Sequence, residues 1–202
     1  MKIVDMSMPL SPETQVFPGD PPVVFDTLSA VAAADPNTLS RISLSAHTGT
    51  HMDAPSHVFS DGKSVDDIGM DALVGPAWVM DVSGSRPIDY RALATARPTR
   101  PTNRLLIRSD DPHTWLSSDG CRWLVEFAPS LIGFDGLSVD SPDSDELEAH
   151  KELLGAGTVL IENLDLSGVA AGMHFLACLP LKLIGTEGSP VRAILIDGME
   201  AT

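Results

Sequence analysis

The 202-residue chain sets 28 Asp and Glu against 13 Lys and Arg, a formal charge of −15, and 43% of its residues are hydrophobic. That length and apolar share suffice for one compact domain over residues 1–202, with no need of a disulfide framework or an obligatory structural metal. So negative a surface repels phosphate backbones and argues against nucleic acid as a partner, whether the acidity answers a saline habitat or only solubility.

The start, Met1-Lys2-Ile3-Val4-Asp5, lacks the regions of a signal peptide, and no run approaches the roughly 18 apolar residues of a membrane span. A cytoplasmic protein without a membrane partner is expected. In chain order, apolar patterning predicts strands at 23–25 and 42–46, a helix at 64–73, a strand at 78–82 and a helix at 88–96. A strand at 105–107, a helix at 144–154 and strands at 159–161 and 193–196 follow, a mixed α/β pattern. The cluster Ser141-Pro142-Asp143-Ser144 offers caps for the late helix, and Gly155 and Gly157 end it. Pro98 and Pro101 mark 94–103 as a surface loop rather than a linker. Cys121 and Cys178 lie in strand-like apolar runs without CxxC spacing, which predicts buried, reduced thiols.

The chemistry concentrates in His47-Thr48-Gly49-Thr50-His51-Met52-Asp53-Ala54-Pro55-Ser56-His57, which holds three of the six histidines. Upstream, Ile42, Leu44 and Ala46 alternate with polar residues at the period of a half-buried strand. Continued in register, that strand would bring His47, Gly49, His51 and Asp53 to one face. A helix would carry Asp53 far round from His51, and Gly49, Thr50 and Pro55 disfavour one. Imidazoles and a carboxylate converging in this way suit Zn²⁺, Mn²⁺ or Fe²⁺.

A second set lies downstream. Leu147, His150 and Leu154 fall at i, i+3 and i+7, which turns His150 to the apolar face of its helix. Glu162 ends the apolar run Val159-Leu160-Ile161, where an unneutralised carboxylate is costly to bury. Taken alone, His150 reads as a side chain hydrogen-bonded at a helix end, and Glu162 as an edge-strand acid facing water. Beside the first cluster, both gain weight as ligands. His57, following Pro55, has the near-neutral titration of a proton shuttle, a further metal ligand being the other reading.

These residues, with Asp5-Met6-Ser7-Met8-Pro9-Leu10, Phe17-Pro18-Gly19-Asp20, Leu179-Pro180-Leu181-Lys182 and Ser189-Pro190-Val191-Arg192-Ala193, resemble the cyclase family of metal-dependent hydrolases, its formamidases above all. The resemblance covers nearly the whole chain. It implies a central mixed β-barrel-like sheet with flanking helices, assembled as a homodimer or homotetramer. It further implies two Zn²⁺ ions, with Mn²⁺ or Fe²⁺ as alternatives. His47, His51 and Asp53 would hold one ion and Asp53, His150 and Glu162 the other. His57 would donate and accept the proton, and Phe17 would lie against a small aromatic amide where formamidases often carry Trp. The implied activity is hydrolysis of N-formylkynurenine to kynurenine and formate in tryptophan degradation.

Three other readings compete. A sister hydrolase would open a cyclic amide, lactone or isatin-like ring with the same metal chemistry. A non-haem iron oxygenase would use His51, Asp53 and the distant His174, but leaves His47, His57, His150 and Glu162 without a task. A non-enzymatic protein with a structural metal is disfavoured, since closed structural zinc sites are typically cysteine-rich and no cysteine lies near the motif.

Overall fold

A computed structural model describes residues 2–198. Among them the strands are β1 (Lys2–Asp5), β2 (Val24–Ser29), β3 (Leu39–Ser43), β4 (His51–Asp53), β5 (Val74–Asp81), β6 (Arg104–Arg108), β7 (Leu131–Phe134), β8 (Val159–Glu162), β9 (Gly172–Pro180) and β10 (Gly188–Asp197). The helices are α1 (Met70–Leu73), α2 (Tyr90–Thr95), α3 (Ser118–Phe127) and α4 (Glu148–Gly155). Eight strands form one sheet in the order β1-β10-β4-β8-β7-β6-β5-β9, and β9 pairs again with β10. Seven strands therefore close into a mixed barrel, with β1 added beside β4 along β10.

Parallel strands need crossovers long enough to return the chain to the same end, and helices supply them. β5, β6, β7 and β8 are successive parallel neighbours, and α2, α3 and α4 lie in the three connections between them. Alternation along the strands then sorts the buried residues into two cores. Met52, Val79, Leu106, Leu131, Ile161, Cys178 and Leu195, one from each barrel strand, belong to the set that fills the interior. Met80, Leu105, Ile107, Ile132 and Leu160 face the other way and pack with Leu93 of α2, Leu124 of α3 and Leu153 of α4.

Most of the predicted strands form with longer bounds, and a loop at 96–103 links α2 to β6, the first two residues of the expected 94–103 loop belonging to α2. The 64–73 helix does not form as one piece. Ser64 caps a single 3-10 turn at Val65–Asp67, and α1 starts only after extended Gly69. Nor does Leu147 sit within its helix: it is left-handed at φ 50 ahead of α4. The 141–144 cluster turns before the helix, and Asp140 supplies the capping oxygens by accepting from the N–H groups of Ala149 and His150. Cys121 and Cys178 are free and buried, but Cys121 belongs to α3 rather than to a strand.

The largest departure concerns 42–53. β3 stops at Ser43 and pairs only with β2, in a ribbon separate from the barrel. Ile42 is therefore 62% exposed instead of half-buried. The chain then turns, with the Thr48 N–H donating to the Ser45 carbonyl and Gly49 at φ 63. This left-handed conformation is open to glycine, and a Cβ there would meet Leu10 Cδ2 at 2.5 Å. His47 thus reaches the site from a turn, not from a strand continuous with His51.

Candidate metal centre

β4 is only three residues long, yet it is buried and lies between β10 and β8. Met52 points into the barrel, so its neighbours His51 and Asp53 point out, towards the helical layer. In the β4–β8 ladder His51 stands opposite Glu162 and Asp53 opposite Leu160, which puts Glu162 on that same outer face. α4, packed on this face, adds His150.

Two groups result. His47, His51 and Asp53 bring one potential ligand atom each within 4.8 Å of one another, and so do Asp53, His150 and Glu162. Asp53 belongs to both. His51 Nε2 lies 3.3 Å from Asp53 Oδ1 and 3.6 Å from Glu162 Oε2, while His150 Nε2 lies 3.5 Å from Asp53 Oδ2 and 3.4 Å from Glu162 Oε1. Such separations are long for charge-assisted hydrogen bonds. They match two ligands sharing one ion, since a tetrahedron with Zn–N arms of about 2.05 Å has edges of about 3.3 Å. Asp53 Oδ2 is buried without a hydrogen-bond partner, a costly state that a cation would relieve.

The His51 and His150 imidazoles are held from behind. The Gly49 carbonyl accepts from His51 Nδ1 at 2.9 Å, and Asp140 Oδ2 accepts from His150 Nδ1 at 2.6 Å, leaving both Nε2 atoms for the centre. His47 Nδ1 sits 2.8 Å from Asp53 Oδ1, and its Nε2 is 3.5 Å from Glu187 Oε1. The Val139 N–H donates to Glu162 Oε1 at 2.7 Å. Glu162 is therefore a buried acid on an inner strand, not an edge carboxylate facing water.

The charges respond to this crowding. Burial works against a charged His51, but the neighbouring Asp53 and Glu162 carboxylates outweigh it and raise the imidazole to about 9. His150 moves the same way, with burial overcome by Glu162, Asp140 and Asp53. Asp53 is held well below the usual carboxylate range despite its burial, because the His51 charge and the imidazoles of His150 and His47 surround it. Burial, then the proximity of Asp53, raises Glu162, although His150 and His51 oppose the shift. Carboxylates and imidazoles crowded in this way suit a divalent cation, which can take the place of the protons they share.

His57 completes a 3-10 turn begun by Pro55. Its ring centroid is 4.2 Å from that of His47 and 5.4 Å from that of His150. Burial lowers it to about 4; Asp53 pulls upward, and the other imidazoles push down again. A cavity of about 380 Å³ adjoins the centre on the His47 and His51 side, with Asp140 and Phe17 also in its wall. Phe17 is 57% exposed there. His174 lies elsewhere, with ring nitrogens 2.9 Å from Asp197 Oδ1 and 2.9 Å from the Ala170 carbonyl, which takes it out of any iron triad with His51 and Asp53.

The sequence model of the Cyclase family matches residues 4–141. Kynurenine formamidase of Salinibacter ruber is 38% identical over 209 residues, an alignment spanning 98% of each chain. The chain belongs to the cyclase family. Among solved cyclase-fold structures, a potential metal-dependent hydrolase with cyclase activity superposes with a TM-score of 0.85 at 26% identity, covering 98% of this chain and 99% of the other. Isatin hydrolase A of Labrenzia aggregata gives 0.82 at 26% identity, over 96% and 93%. Both likenesses agree with the closed mixed sheet and its flanking helices. The cyclase-family chain also holds site residues that patterning did not single out: Asp140 behind His150, Glu187 beside His47, and Arg86 in the cavity wall. Asp140 had a signal, since an acid ahead of a turn and a helix start is a capping candidate.

Proposed function

We propose that the chain hydrolyses N-formylkynurenine to kynurenine and formate with divalent ions held by His47, His51 and Asp53 and by Asp53, His150 and Glu162. The observation that carries this reading is the unpartnered, buried Asp53 Oδ2 among imidazoles and a second carboxylate, beside a substrate-sized cavity that His47 and His51 line. Similarity to kynurenine formamidase over nearly the full chain supports the substrate. Two Zn²⁺ ions are the preferred occupants, and Mn²⁺ or Fe²⁺ suits the same donors. Such ions lower the pKa of a coordinated water towards neutrality and polarise a scissile carbonyl.

The chain's own groups do the rest. Asp140 and the Gly49 carbonyl hold Nδ1–H of His150 and His51, so each Nε2 is turned to the centre and would coordinate on giving up its proton. His57, neutral at neutral pH, accepts a proton from the attacking water and returns it to the departing arylamine nitrogen. Phe17 supplies an aromatic face for the substrate ring. The free thiols of Cys121 and Cys178 fit a reducing cytoplasm, and no helix among the described residues is long and apolar enough to cross a membrane.

A second reading, opening of an isatin-like cyclic amide, draws support from the likeness to isatin hydrolase A. The two are separated by purifying the protein, measuring bound metal, and assaying it without oxygen on N-formylkynurenine and on isatin. Equal release of formate and kynurenine, abolished by chelation, is expected. Turnover of isatin alone would hand the site to the second reading, and turnover of neither by metal-loaded protein would sink both.

A further inference from the structure

Among the described residues the wall of the cavity contains a single Lys or Arg, Arg86, in a chain where acids outnumber bases by 28 to 13. Arg86 lies in the connection from β5 to α2. Its Nη1 donates to Asp111 Oδ2 at 3.2 Å, and its guanidinium lies over the Trp115 ring, 5.6 Å from the centroid. Asp111 is shared, since its Oδ1 also accepts the His113 N–H at 2.9 Å. Nε and Nη2 of Arg86 have no protein acceptor among the described residues. The guanidinium is therefore oriented from one side and open to a ligand on the other.

The acid in the same wall, Asp140, does not compete for it. That carboxylate is spent on His150 Nδ1 and on the first amides of α4. Phe17, Val16, Pro112 and Leu137 make much of the remaining wall apolar. In a chain of −15 charge, holding a ligand's carboxylate against this wall needs a local cation with free donors.

We propose that Arg86 binds a carboxylate of the substrate, so that the cavity selects aryl formamides bearing an amino-acid carboxylate over those that lack one. This rests on the formamidase reading: the ion-binding centre takes the formyl end, and Arg86 takes the amino-acid carboxylate at the other. A planar guanidinium suits that group because its N–H fork matches two carboxylate oxygens. The carboxylate is unchanged in the reaction, so the contact is as strong before the transition state as in it and acts on KM rather than kcat.

The test compares N-formyl-L-kynurenine with 2-formamidoacetophenone, which keeps the formanilide and the ortho ketone but lacks the amino acid. Arg86→Gln should lower kcat/KM for the first by about 10- to 100-fold, mainly through KM, the worth of a charged hydrogen bond. The loss on the neutral compound should be several-fold smaller. Arg86→Lys, which keeps the charge and loses the fork, should fall between. In the wild type, KM for N-formyl-L-kynurenine should rise with ionic strength while that for the neutral compound stays level, a readout independent of variant folding. Equal losses on both substrates, no loss on either, or a wild type that does not prefer the carboxylate-bearing substrate would overturn the role of Arg86 while leaving the hydrolase standing. A wild type that cleaves neither formamide removes the formamidase reading itself, and this inference with it.

Discussion

Glu162 faces His51 across the β4–β8 ladder, with Oε2 3.6 Å from Nε2. Together with Asp53 it raises His51 to about 9 against the opposing pull of burial. In the ion-free protein His51 therefore holds a proton through neutral pH, and a metal ion must displace it. Because the folded pKa lies above the ordinary 6.5, this proton's contribution to stability is complete below pH 6.5 and fades as pH rises through about 9. The melting temperature of chelated protein should fall across that window, and metal affinity should rise across it, with protons released on binding. Calorimetry in buffers of different ionisation enthalpy measures the release. Uptake without proton release between those limits would contradict the arrangement.

Asp140 accepts from His150 Nδ1 at 2.6 Å and from two amides of α4. Asp140→Asn keeps the shape but removes the charge that favours Nδ1–H, and with it the tautomer that leaves Nε2 free. Metal affinity should drop by about 10- to 100-fold, the usual effect of losing such a partner. Titration with a competing chelator reads this directly. Unchanged affinity would mean that His150 is aimed by packing alone.

His57 sits 4.2 Å from His47, centroid to centroid, but belongs to neither ligand group. His57→Ala should leave metal content near the wild-type value and cut kcat by about 10²- to 10⁴-fold, as expected for a lost proton shuttle. Metal analysis beside a formate-release assay separates the two effects. If the ions leave with the imidazole, His57 is a ligand and the shuttle assignment is wrong.

Much of this site was legible because strand periodicity and ligand chemistry are local. The clustering of His47, His51, Asp53 and His57 could be read within eleven residues, and the parity of His51 and Asp53 about Met52 holds in β4. The approach of His47 was not legible, because a left-handed Gly49 inserts a turn where alternation suggested one strand. Closure of the barrel rests on β9 pairing with both β5 and β10, contacts between distant segments that no local pattern encodes. Helix α3 was missed, and Cys121 read as strand, because its apolar positions mix with Gly120 and charged residues. The partners of His150 and Glu162 were visible only as a need of buried charge for compensation.

The β2–β3 ribbon stands apart from the barrel and exposes Phe25, Leu28, Leu39 and Ile42 by 43–62%. An apolar ribbon of this kind favours association, and a second copy of the chain is the expected occupant, in line with a homodimer or homotetramer. Ile42→Glu should shift the protein towards the monomer in light scattering coupled to size exclusion, with metal content retained. A wild type that is monomeric at micromolar concentration would rule the pairing out.

Gly188 stands opposite Asp53 in the β10–β4 ladder, and a Cβ there would lie 2.9 Å from His47 Cε1 and 3.0 Å from the Met52 carbonyl oxygen. The carbonyl belongs to the sheet and yields little, so Gly188→Ala must shift the His47 ring from its place. Overpacking of this kind costs about 1–3 kcal/mol. The chelated protein should lose several degrees of melting temperature, roughly 2–4 °C per kcal/mol at this size. The more specific consequence is at the ions: with His47 displaced, the stabilisation gained on adding Zn²⁺ should shrink, because the His47, His51 and Asp53 group loses a donor while Asp53, His150 and Glu162 keep theirs. Melting curves with and without the ion measure both effects. An undiminished gain in the alanine variant would show that His47 does not bind the ion.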